Sequence, residues 1–512
     1  MNQRKAGVIL SYIKMFLSGA VNLIYVPLLL FFLTKEEYGL YQLVGSVIAY
    51  LTLMDFGLAD TVTRYYANYM ARNDSDGLRR LLSTVSAVYG FITVMVIIVG
   101  VILLQLCLPL YANTLSAQEL HTAQLVYWIL LINVALAIPS NIFKAVINAH
   151  QRFVFAQLLI IINTVLQPVL VCAVLMAHPS VVALAIVQTV CNIAMIACNV
   201  YYCRRHLQVS LQWCGADRKI LKETLLFSTL WFTVALVDQI FWRSGQLVLG
   251  AVVGTAAVAV YSVTIQLQVL YGWFSVIISK VFLPRLSAIA ATGEQEEEMN
   301  AIFLKTSRLQ TLISALLVSG FIMVGKEFIF LWLGDGFSQA YIYGVVLMVC
   351  FFIPSVQNTG LVILQARNKL GFYAGFYVVL AFVSLLVSIG LAKQYGGLGC
   401  AWGTGGALFV GGLVMNRYYA NMGLSMRVFW KDIAQVLVVT LLAMAIFYMI
   451  KKLWPLAGGW MSFIGQGGLY SVLWGGLMWG LVLNKYEKNL ALEMGGQLLR
   501  FARLRKREHP SI

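Results

Sequence analysis

Long apolar runs follow one another along almost the whole chain, separated by short gaps that hold the charges and turn residues. A helix that crosses a bilayer needs about 20 mostly apolar residues, and splitting the chain at its gaps gives about fourteen such runs. Only 11% of the residues are charged and the mean hydropathy is +0.83, whereas a soluble domain carries about 25% charge. The sequence therefore predicts an all-α polytopic membrane protein.

Gaps rich in basic residues alternate with gaps that contain few. Most of the 36 Lys and Arg residues fall in one alternating set, which includes Arg72, Lys144 and Arg152 and continues into the C-terminal tail. Because cytoplasmic loops are enriched in Lys and Arg, this pattern predicts a membrane protein with both termini in the cytoplasm. The formal charge of +16 is then a topology signal, and no polar domain gathers it into a nucleic-acid-binding surface.

One short pattern occurs twice. Ile138-Pro139-Ser140 is followed by Ala149-His150-Gln151-Arg152, and Ile353-Pro354-Ser355 is followed by Ala366-Arg367-Asn368-Lys369. Both stretches lie where the fourth span of a six-span segment runs into the next loop. Transporters are often built from such repeats, with the substrate site between the halves. We interpret the pattern as an internal repeat, and a chance match of three residues is the alternative.

Two spans contain ionisable residues away from their ends. Lys14 lies roughly 12 Å along the first span, from where it either snorkels to the cytoplasmic interface or faces an internal cavity. Asp238 lies near the middle of the seventh span, and Arg243 is about 140° further around the same helix. Since charges inside a membrane usually mark a transport pathway, we expect Asp238 to face a cavity. A structural hydrogen bond is the alternative for Asp238.

Further charges lie at the ends of the second and eighth spans. Asp55 precedes Asp60 and Arg64, whose spacing permits an ion pair on one helix face, and Lys280 and Arg285 occupy the corresponding end of the eighth span. Cations in both halves suit a doubly charged phosphate headgroup, because Arg binds phosphate bidentately and Lys binds it as a point charge. The predicted substrate-binding residues are Lys14, Arg64, Asp238, Arg243, Lys280 and Arg285, and the predicted ion-coupling residues are Asp55 and Asp238.

Signatures of enzymes, metals and cofactors are weak. Asp74-Ser75-Asp76 resembles the acidic pair with which many glycosyltransferases hold a metal-bound sugar nucleotide, but its neighbours Asn73 and Gly77 favour a turn and a helix cap. The five histidines show no metal-ligand spacing, and the acidic run from Glu294 to Glu298 is typical of a solvated loop. We predict a protein without a metal, a cofactor or catalytic residues.

Three motifs stand at the start of the second span, at its end and at the end of the eighth span. They are Glu37-Tyr38-Gly39-Leu40-Tyr41, Asp55-Phe56-Gly57-Leu58 through Arg64-Tyr65-Tyr66-Ala67, and Leu283-Pro284-Arg285-Leu286-Ser287. They resemble the corresponding motifs of the Wzx-type oligosaccharide flippases, and the third is also similar to a stretch of the lipid II flippases. With about fourteen spans and cytoplasmic termini, the resemblance covers nearly the whole chain.

This resemblance implies the fold of the multidrug/oligosaccharidyl-lipid/polysaccharide (MOP) transporters, in which two six-helix lobes surround a cavity and two further helices follow. It implies that the protein translocates an undecaprenyl-diphosphate-linked oligosaccharide to the outer leaflet by alternating access, for cell-surface polysaccharide biosynthesis. The partners it implies are this lipid-linked oligosaccharide and membrane lipids, with a polysaccharide polymerase and glycosyltransferases as candidates. The predicted divisions are residues 1–206 (N-lobe, spans 1–6), 207–424 (C-lobe, spans 7–12), 425–485 (spans 13–14) and 486–512 (basic cytoplasmic tail).

Three other functions stay open. A MATE-type multidrug exporter would share the fold but export organic cations, so a cavity dominated by Asp and Glu would favour it, whereas a cationic cavity favours the flippase. A lipid II flippase is disfavoured, because Tyr261-Ser262-Val263-Thr264 stands where those proteins tend to have Tyr-Ala-Asp-Arg. A membrane glycosyltransferase or polymerase would need a catalytic carboxylate cluster in a large loop, and the sequence shows none.

Overall fold

A computed structural model describes residues 3–209, 218–292, 296–453, 458–485, 487–489 and 492–493 of the chain. These residues form sixteen α-helices and no strand. The first seven, α1–α7, are Gln3–Phe32, Lys35–Thr52, Leu58–Ala71, Ser75–Tyr111, Ala117–Ala149, Phe153–Ala177 and Val181–His206. The other nine, α8–α16, are Arg218–Val252, Thr255–Thr292, Glu296–Leu333, Gln339–Val356, Asn358–Ala366, Gly371–Tyr395, Gly397–Asn421, Met426–Leu453 and Trp460–Leu481.

Twelve of the described stretches are long and apolar enough to cross a membrane. Helices α2 and α3 together form one of them, Lys35–Ala71, because only a short break separates the two. Helices α8 and α16 lie where the seventh and fourteenth spans are predicted. The prediction of an all-α multi-pass membrane protein is thereby confirmed, and the helix pattern agrees with about fourteen spans.

Side-chain caps fix where individual helices begin. Ser116 and Glu119 form a reciprocal capping box at the start of α5, which satisfies backbone N–H groups that the first helical turn leaves without partners. Asp74 caps α4, because its side chain accepts a hydrogen bond from the backbone N–H of Gly77 at 2.8 Å. The interpretation of Asp74-Ser75-Asp76 as turn and cap chemistry is confirmed.

The two copies of the repeated pattern share their local structure. Ser140 in α5 and Ser355 in α11 each donate a side-chain hydrogen bond to the carbonyl oxygen three residues back, at 2.6 and 2.7 Å. Further along the chain, Gln151 and Asn368 both have a φ of 56°, in the left-handed region that residues other than Gly rarely adopt. The helices before them therefore end in the same kind of turn, as an internal repeat predicts.

The chain forms two compact units. Unit 1 comprises the described residues of Met1–Leu270, Ile342–Cys350 and Lys369–Gly411, and unit 2 comprises those of Tyr271–Tyr341, Phe351–Asn368 and Gly412–Ile512. Unit 1 thus contains α1–α8, the first part of α9, α13 and most of α14, whereas α10, α12, α15 and α16 belong to unit 2. The lobe boundary at residues 206 and 207 stays a prediction.

Within unit 1, the first turns of α2 and α9 pack backbone against backbone. A β-carbon on Gly39 would overlap the carbonyl oxygen of Thr255. Thr255 also donates a hydrogen bond to Glu119 at 2.9 Å, and Thr114 donates one to the carbonyl oxygen of Gly250 at 2.7 Å. Hydrogen bonds therefore join the start of α9 to the start of α5, and the turn before α5 to the end of α8. Glycine at position 39 permits the close approach of α2 and α9.

Within unit 2, one arginine joins α10, α15 and the segment after α16. The guanidinium of Arg308 donates hydrogen bonds to Glu487 at 2.5 Å, to Asp432 at 3.0 Å and to the carbonyl oxygen of Val482 at 2.8 Å. Its side chain is only 12% exposed. Because two carboxylates and a carbonyl oxygen surround one half-buried cation, its charge is paired.

Candidate functional site

The stretch that begins with the second span is interrupted at Asp55, where the sequence predicts the end of this span, and α3 continues beyond the interruption. After α2, one 3-10 turn covers Leu53–Asp55, and Phe56 and Gly57 then adopt left-handed backbones with φ of 51° and 65°. A left-handed backbone is strained for a bulky residue such as Phe56. Transporters use broken helices to build substrate and ion sites. The break therefore marks a candidate site beside Asp55.

Asp55 is connected to a lysine through an asparagine of α5. The Nδ2 atom of Asn141 donates to Oδ1 of Asp55 at 2.9 Å, and Nζ of Lys144 donates to Oδ1 of Asn141 at 3.1 Å. These three side chains are half-buried, and Tyr89 of α4, fully buried, adjoins the carboxylate. A lone charge inside a membrane protein is costly. Asn141 therefore links the two opposite charges in one chain of hydrogen bonds. We call Asp55, Asn141 and Lys144 the α5 cluster.

Lys144 lies within a helix. The sequence pattern assigns this residue to a cytoplasmic gap, and the structure shows that α5 continues past it to Ala149. Asn141 and Lys144 are three residues apart, a spacing that puts both on one helix face, and this spacing is the signal that could have found the cluster.

Asp238 and Arg243 lie on α8, which packs against α2. The hydroxyl of Tyr50 on α2 donates to the carbonyl oxygen of Gln239 at 3.3 Å. Asp238 is exposed and Arg243 is half-buried. An exposed carboxylate midway along a membrane helix is suited to a water-filled cavity. The structure thus brings the helix with both predicted residues against the span that contains the break.

Lys14 and Arg64 lie on two other helices of unit 1. Lys14 is half-buried on α1, which packs against α6 through a tight contact between Gly7 and Phe153. Arg64 is exposed on α3, as is Asp60. Of the predicted substrate-binding residues, unit 1 contains Lys14, Arg64, Asp238 and Arg243, and unit 2 contains Lys280 and Arg285.

Arg285 has an acidic partner that the sequence does not predict. Its Nε donates to Oε1 of Glu298 at 2.7 Å, and the guanidinium of Arg367 binds Glu296 at 3.2 Å. Both acidic residues lie in the first turn of α10, where negative charge is favoured. The expectation of a loop in this acidic run is therefore wrong for Glu296 and Glu298, and Glu294 lies outside the described residues.

Lys280 follows Ser279, which belongs to a buried group of polar side chains in unit 2. Its neighbour Ser279 lies with its hydroxyl 3.1 Å from that of Thr359, and Gln310 donates to the same serine at 2.7 Å. Ser279, Gln310 and Thr359 are all buried. Such uncharged hydrogen bonds between membrane helices hold α9, α10 and α12 together, while Lys280 itself is exposed.

The chemistry of these groups is that of binding and charge pairing. Across the described part of the chain, no group of three or more His, Cys, Asp or Glu is placed to hold a metal ion. The cations of the predicted set outnumber its only acidic member, Asp238, and the α5 cluster adds one further cation and one further carboxylate. Such a set can bind an anion, and its carboxylates can bind a proton or a metal cation.

The sequence pattern of the family described as "Polysaccharide biosynthesis protein" matches residues 5–290, more than half of the chain. The chain belongs to this family. The matched range contains the broken second span, the α5 cluster, α8 and nearly all of α9. All predicted site residues therefore lie within the part of the chain that the family pattern covers.

Other members and folds agree with this assignment. A Shigella flexneri protein named as an O-antigen transporter is 22% identical over 398 residues, which is 76% of this chain and 91% of the relative. The lipid II flippase MurJ, in an inward closed conformation, superposes with a TM-score of 0.74 at 14% identity, covering 92% of this chain and 98% of MurJ. An inward-facing MATE family multidrug resistance transporter of the MOP superfamily gives a TM-score of 0.63 at 15% identity, covering 82% and 98%.

These likenesses establish the fold of this polysaccharide biosynthesis family member. The prediction of a MOP-type fold is confirmed by the superposition on MurJ and by that on the MATE transporter. All three relatives are transporters or flippases by name, and none is an enzyme. Asn141 and Lys144 are the functional candidates that the sequence analysis missed, and the roles predicted for the other site residues stay predictions.

Proposed function

We propose that this protein is a flippase, which moves an undecaprenyl-diphosphate-linked oligosaccharide from the cytoplasmic to the outer leaflet of a bacterial inner membrane by alternating access. The observation that carries the proposal is the family match over residues 5–290. The O-antigen transporter, similar over most of its own length, supports transport of a glycan precursor. The product would serve cell-surface polysaccharide biosynthesis.

The charge of the candidate residues supports an anionic substrate. A diphosphate brings about two negative charges into a region of low dielectric constant, where charge must be paired. In unit 1 the candidate cations are Lys14, Arg64, Lys144 and Arg243, and in unit 2 they are Lys280 and Arg285. Several cations allow the diphosphate to be held by more than one contact.

Arg285 would exchange one anion for another. Its side chain is 67% exposed while it pairs with Glu298, and exposed ion pairs contribute only about 0–1 kcal/mol. A diphosphate oxygen can therefore replace the carboxylate at little cost, because Arg binds phosphate bidentately. Glu298 in turn keeps the arginine oriented in the absence of substrate.

The α5 cluster suits the coupling of substrate to an ion. An anion that binds Lys144 competes with the bridge through Asn141, which leaves Asp55 to bind a proton or a metal cation. Asp238, exposed on α8, is the second candidate for this role. Binding of one charged partner thus changes the affinity for the other, which is the requirement for coupled transport.

The orientation and the partners belong to the same proposal. Both termini are cytoplasmic, because the basic gaps mark the cytoplasmic side. Glycosyltransferases that assemble the lipid-linked glycan on that side would supply the substrate, and a polysaccharide polymerase on the outer side would consume the product. Consumption outside would pull translocation forward by mass action.

Deletion of the protein tests this function. Glycan-linked lipid should accumulate on the inner leaflet with its chemical structure intact, and the wild-type protein should restore its appearance on the outer leaflet. The measurement is a glycan label that reaches only the outer leaflet, compared with total glycan lipid after extraction. If the purified protein lengthened the glycan, or if outer-leaflet glycan were unchanged in the deletion strain, the proposal would be wrong.

A cation exporter is the second candidate. The likeness to a MATE transporter and the two carboxylates of unit 1, Asp55 and Asp238, favour it. Such an exporter would move fluorescent organic cations out of vesicles, and Asp238→Asn would stop that movement. Export of organic cations without any flipping of glycan lipid would show that the protein is a cation exporter. Flipping of lipid II in preference to a lipid-linked oligosaccharide would show that lipid II is the substrate.

A further inference from the structure

A shallow, open groove of about 550 Å³ runs along one face of α7, and all of its lining residues belong to this helix. Its apolar part is lined by Ile193, Ile196, Val200 and Tyr201, and its other end by Arg204 and Arg205. From Ile193 to Arg205 the helix rises about 18 Å, whereas the hydrocarbon layer of one leaflet is about 15 Å thick. The groove therefore matches one leaflet in length, with its charged end at the depth of the headgroups.

The two arginines form the charged end of the groove. Arg204 and Arg205 are exposed in the last turn of α7. Across the residues with described side chains, neither guanidinium lies within 4.0 Å of a carboxylate. Two adjacent guanidiniums can bind one phosphate group with several parallel N–H···O hydrogen bonds.

An aromatic contact packs the last turns of α7 against the start of α6. The ring of Tyr202 on α7 stacks on Phe155 of α6, with centroids 3.8 Å apart and planes 13° apart. The ring of His206, on the same helix, lies 4.9 Å from that of Tyr202. The two arginines are therefore carried by a helix end that packs against a neighbouring helix.

We propose that this groove binds an anionic phospholipid of the bilayer, with its phosphate on Arg204 and Arg205 and one acyl chain along the apolar part. The order of the lining residues matches an amphiphile of that charge, apolar along most of its length and cationic at one end. The site is distinct from the candidate substrate residues, because none of them lines the groove. Its occupant is a resident lipid of the membrane, whatever substrate the protein transports.

Native mass spectrometry of the purified protein in detergent tests whether the two arginines select an anionic lipid. Dioleoyl phosphatidylglycerol should bind about tenfold more tightly than dioleoyl phosphatidylcholine, since each arginine near a membrane surface strengthens anionic-lipid binding severalfold. Arg204→Gln with Arg205→Gln should remove this preference. The matched control is Arg79→Gln with Arg80→Gln, another pair of adjacent exposed arginines, which should retain it. An equal loss in both double variants would overturn the proposal, because basic charge anywhere on the chain would then suffice.

A bulky substitution in the apolar part tests whether the lipid occupies the groove. Ala197 lines the groove, whereas Ala173 is exposed on α6 and does not line it. Ala197→Phe should fill the groove and weaken the binding of both lipids severalfold, and Ala173→Phe should change neither. Both positions are exposed, so each helix tolerates its substitution. If Ala197→Phe bound phosphatidylglycerol as the wild type does, no lipid would occupy the groove.

Discussion

Replacing Gly39 by alanine should separate α2 from α9. The new β-carbon would lie closer to the carbonyl oxygen of Thr255 than the 3.0 Å below which real β-carbons are essentially never found. Because the opposing atom belongs to the backbone, no side-chain rotation relieves the overlap. Overpacking of this kind costs about 1–3 kcal/mol. Alanine also gains about 1 kcal/mol of helix propensity over glycine, so a control that shares the gain is needed.

Gly45→Ala is that control. It lies on the same helix, and no atom lies within 4 Å of the position that its new β-carbon would take, so the two variants differ only in the overlap. The probe is Leu43→Cys in a cysteine-free background, because Leu43 is 2% exposed and packs against Gly250 of α8. A difference of 1–3 kcal/mol corresponds to roughly a 5- to 150-fold change in population, which sets the rate at which the buried thiol is exposed and labelled. Equal labelling rates in Gly39→Ala and Gly45→Ala would refute the reasoning.

Three further outcomes are expected. Asn141→Leu removes the bridge of the α5 cluster. Since a hydrogen bond to a charged group contributes about 1.5–3 kcal/mol, initial transport rates in vesicles should fall at least tenfold. Asn148→Leu, at an exposed position of α5, should not lower them. Arg308→Met leaves two half-buried carboxylates unpaired, so the purified protein should lose about 3–5 kcal/mol of stability and melt several degrees lower. Lys326→Met, exposed on the same helix, should melt as the wild type does. An impermeant thiol reagent added to intact cells should label a cysteine at Gly458 and none in the C-terminal tail; labelling of the tail would contradict cytoplasmic termini.

The spans could be predicted because lipid imposes a length and an apolar composition on each of them. The form of the break could not be predicted, because the charge of Asp55 at this point indicates only the end of a span and not a second helix, α3, that continues beyond it. The motif Asp55-Phe56-Gly57-Leu58 resembles that of the oligosaccharide flippases, but only the left-handed φ values of Phe56 and Gly57 show where the helix stops.

Long-range pairing is the other part that the sequence conceals. Arg308 binds carboxylates that lie 124 and 179 residues further along the chain, and no local spacing indicates such partners. Arg285 and Glu298 are close in the sequence, but their pairing could not be predicted, because the acidic run that contains Glu298 has the composition of a loop. For Asp238 and Lys14, the chain position was predictable from their depth in an apolar run, and their roles in transport stay predictions.

The flipping rate of a purified lipid-linked oligosaccharide in reconstituted vesicles tests the central claim most directly. Wild-type protein should move the glycan lipid to the opposite leaflet. Lys14→Ala and Arg285→Ala should each abolish or strongly reduce this movement at normal expression, because each removes a cation that the diphosphate needs, and Lys14→Arg should retain much of it because the charge is kept. Arg79→Ala, exposed on α4, controls for a loss of basic charge outside the site. Wild-type rates in both alanine variants would show that neither cation binds the substrate, and no flipping by the wild-type protein would contradict the account itself.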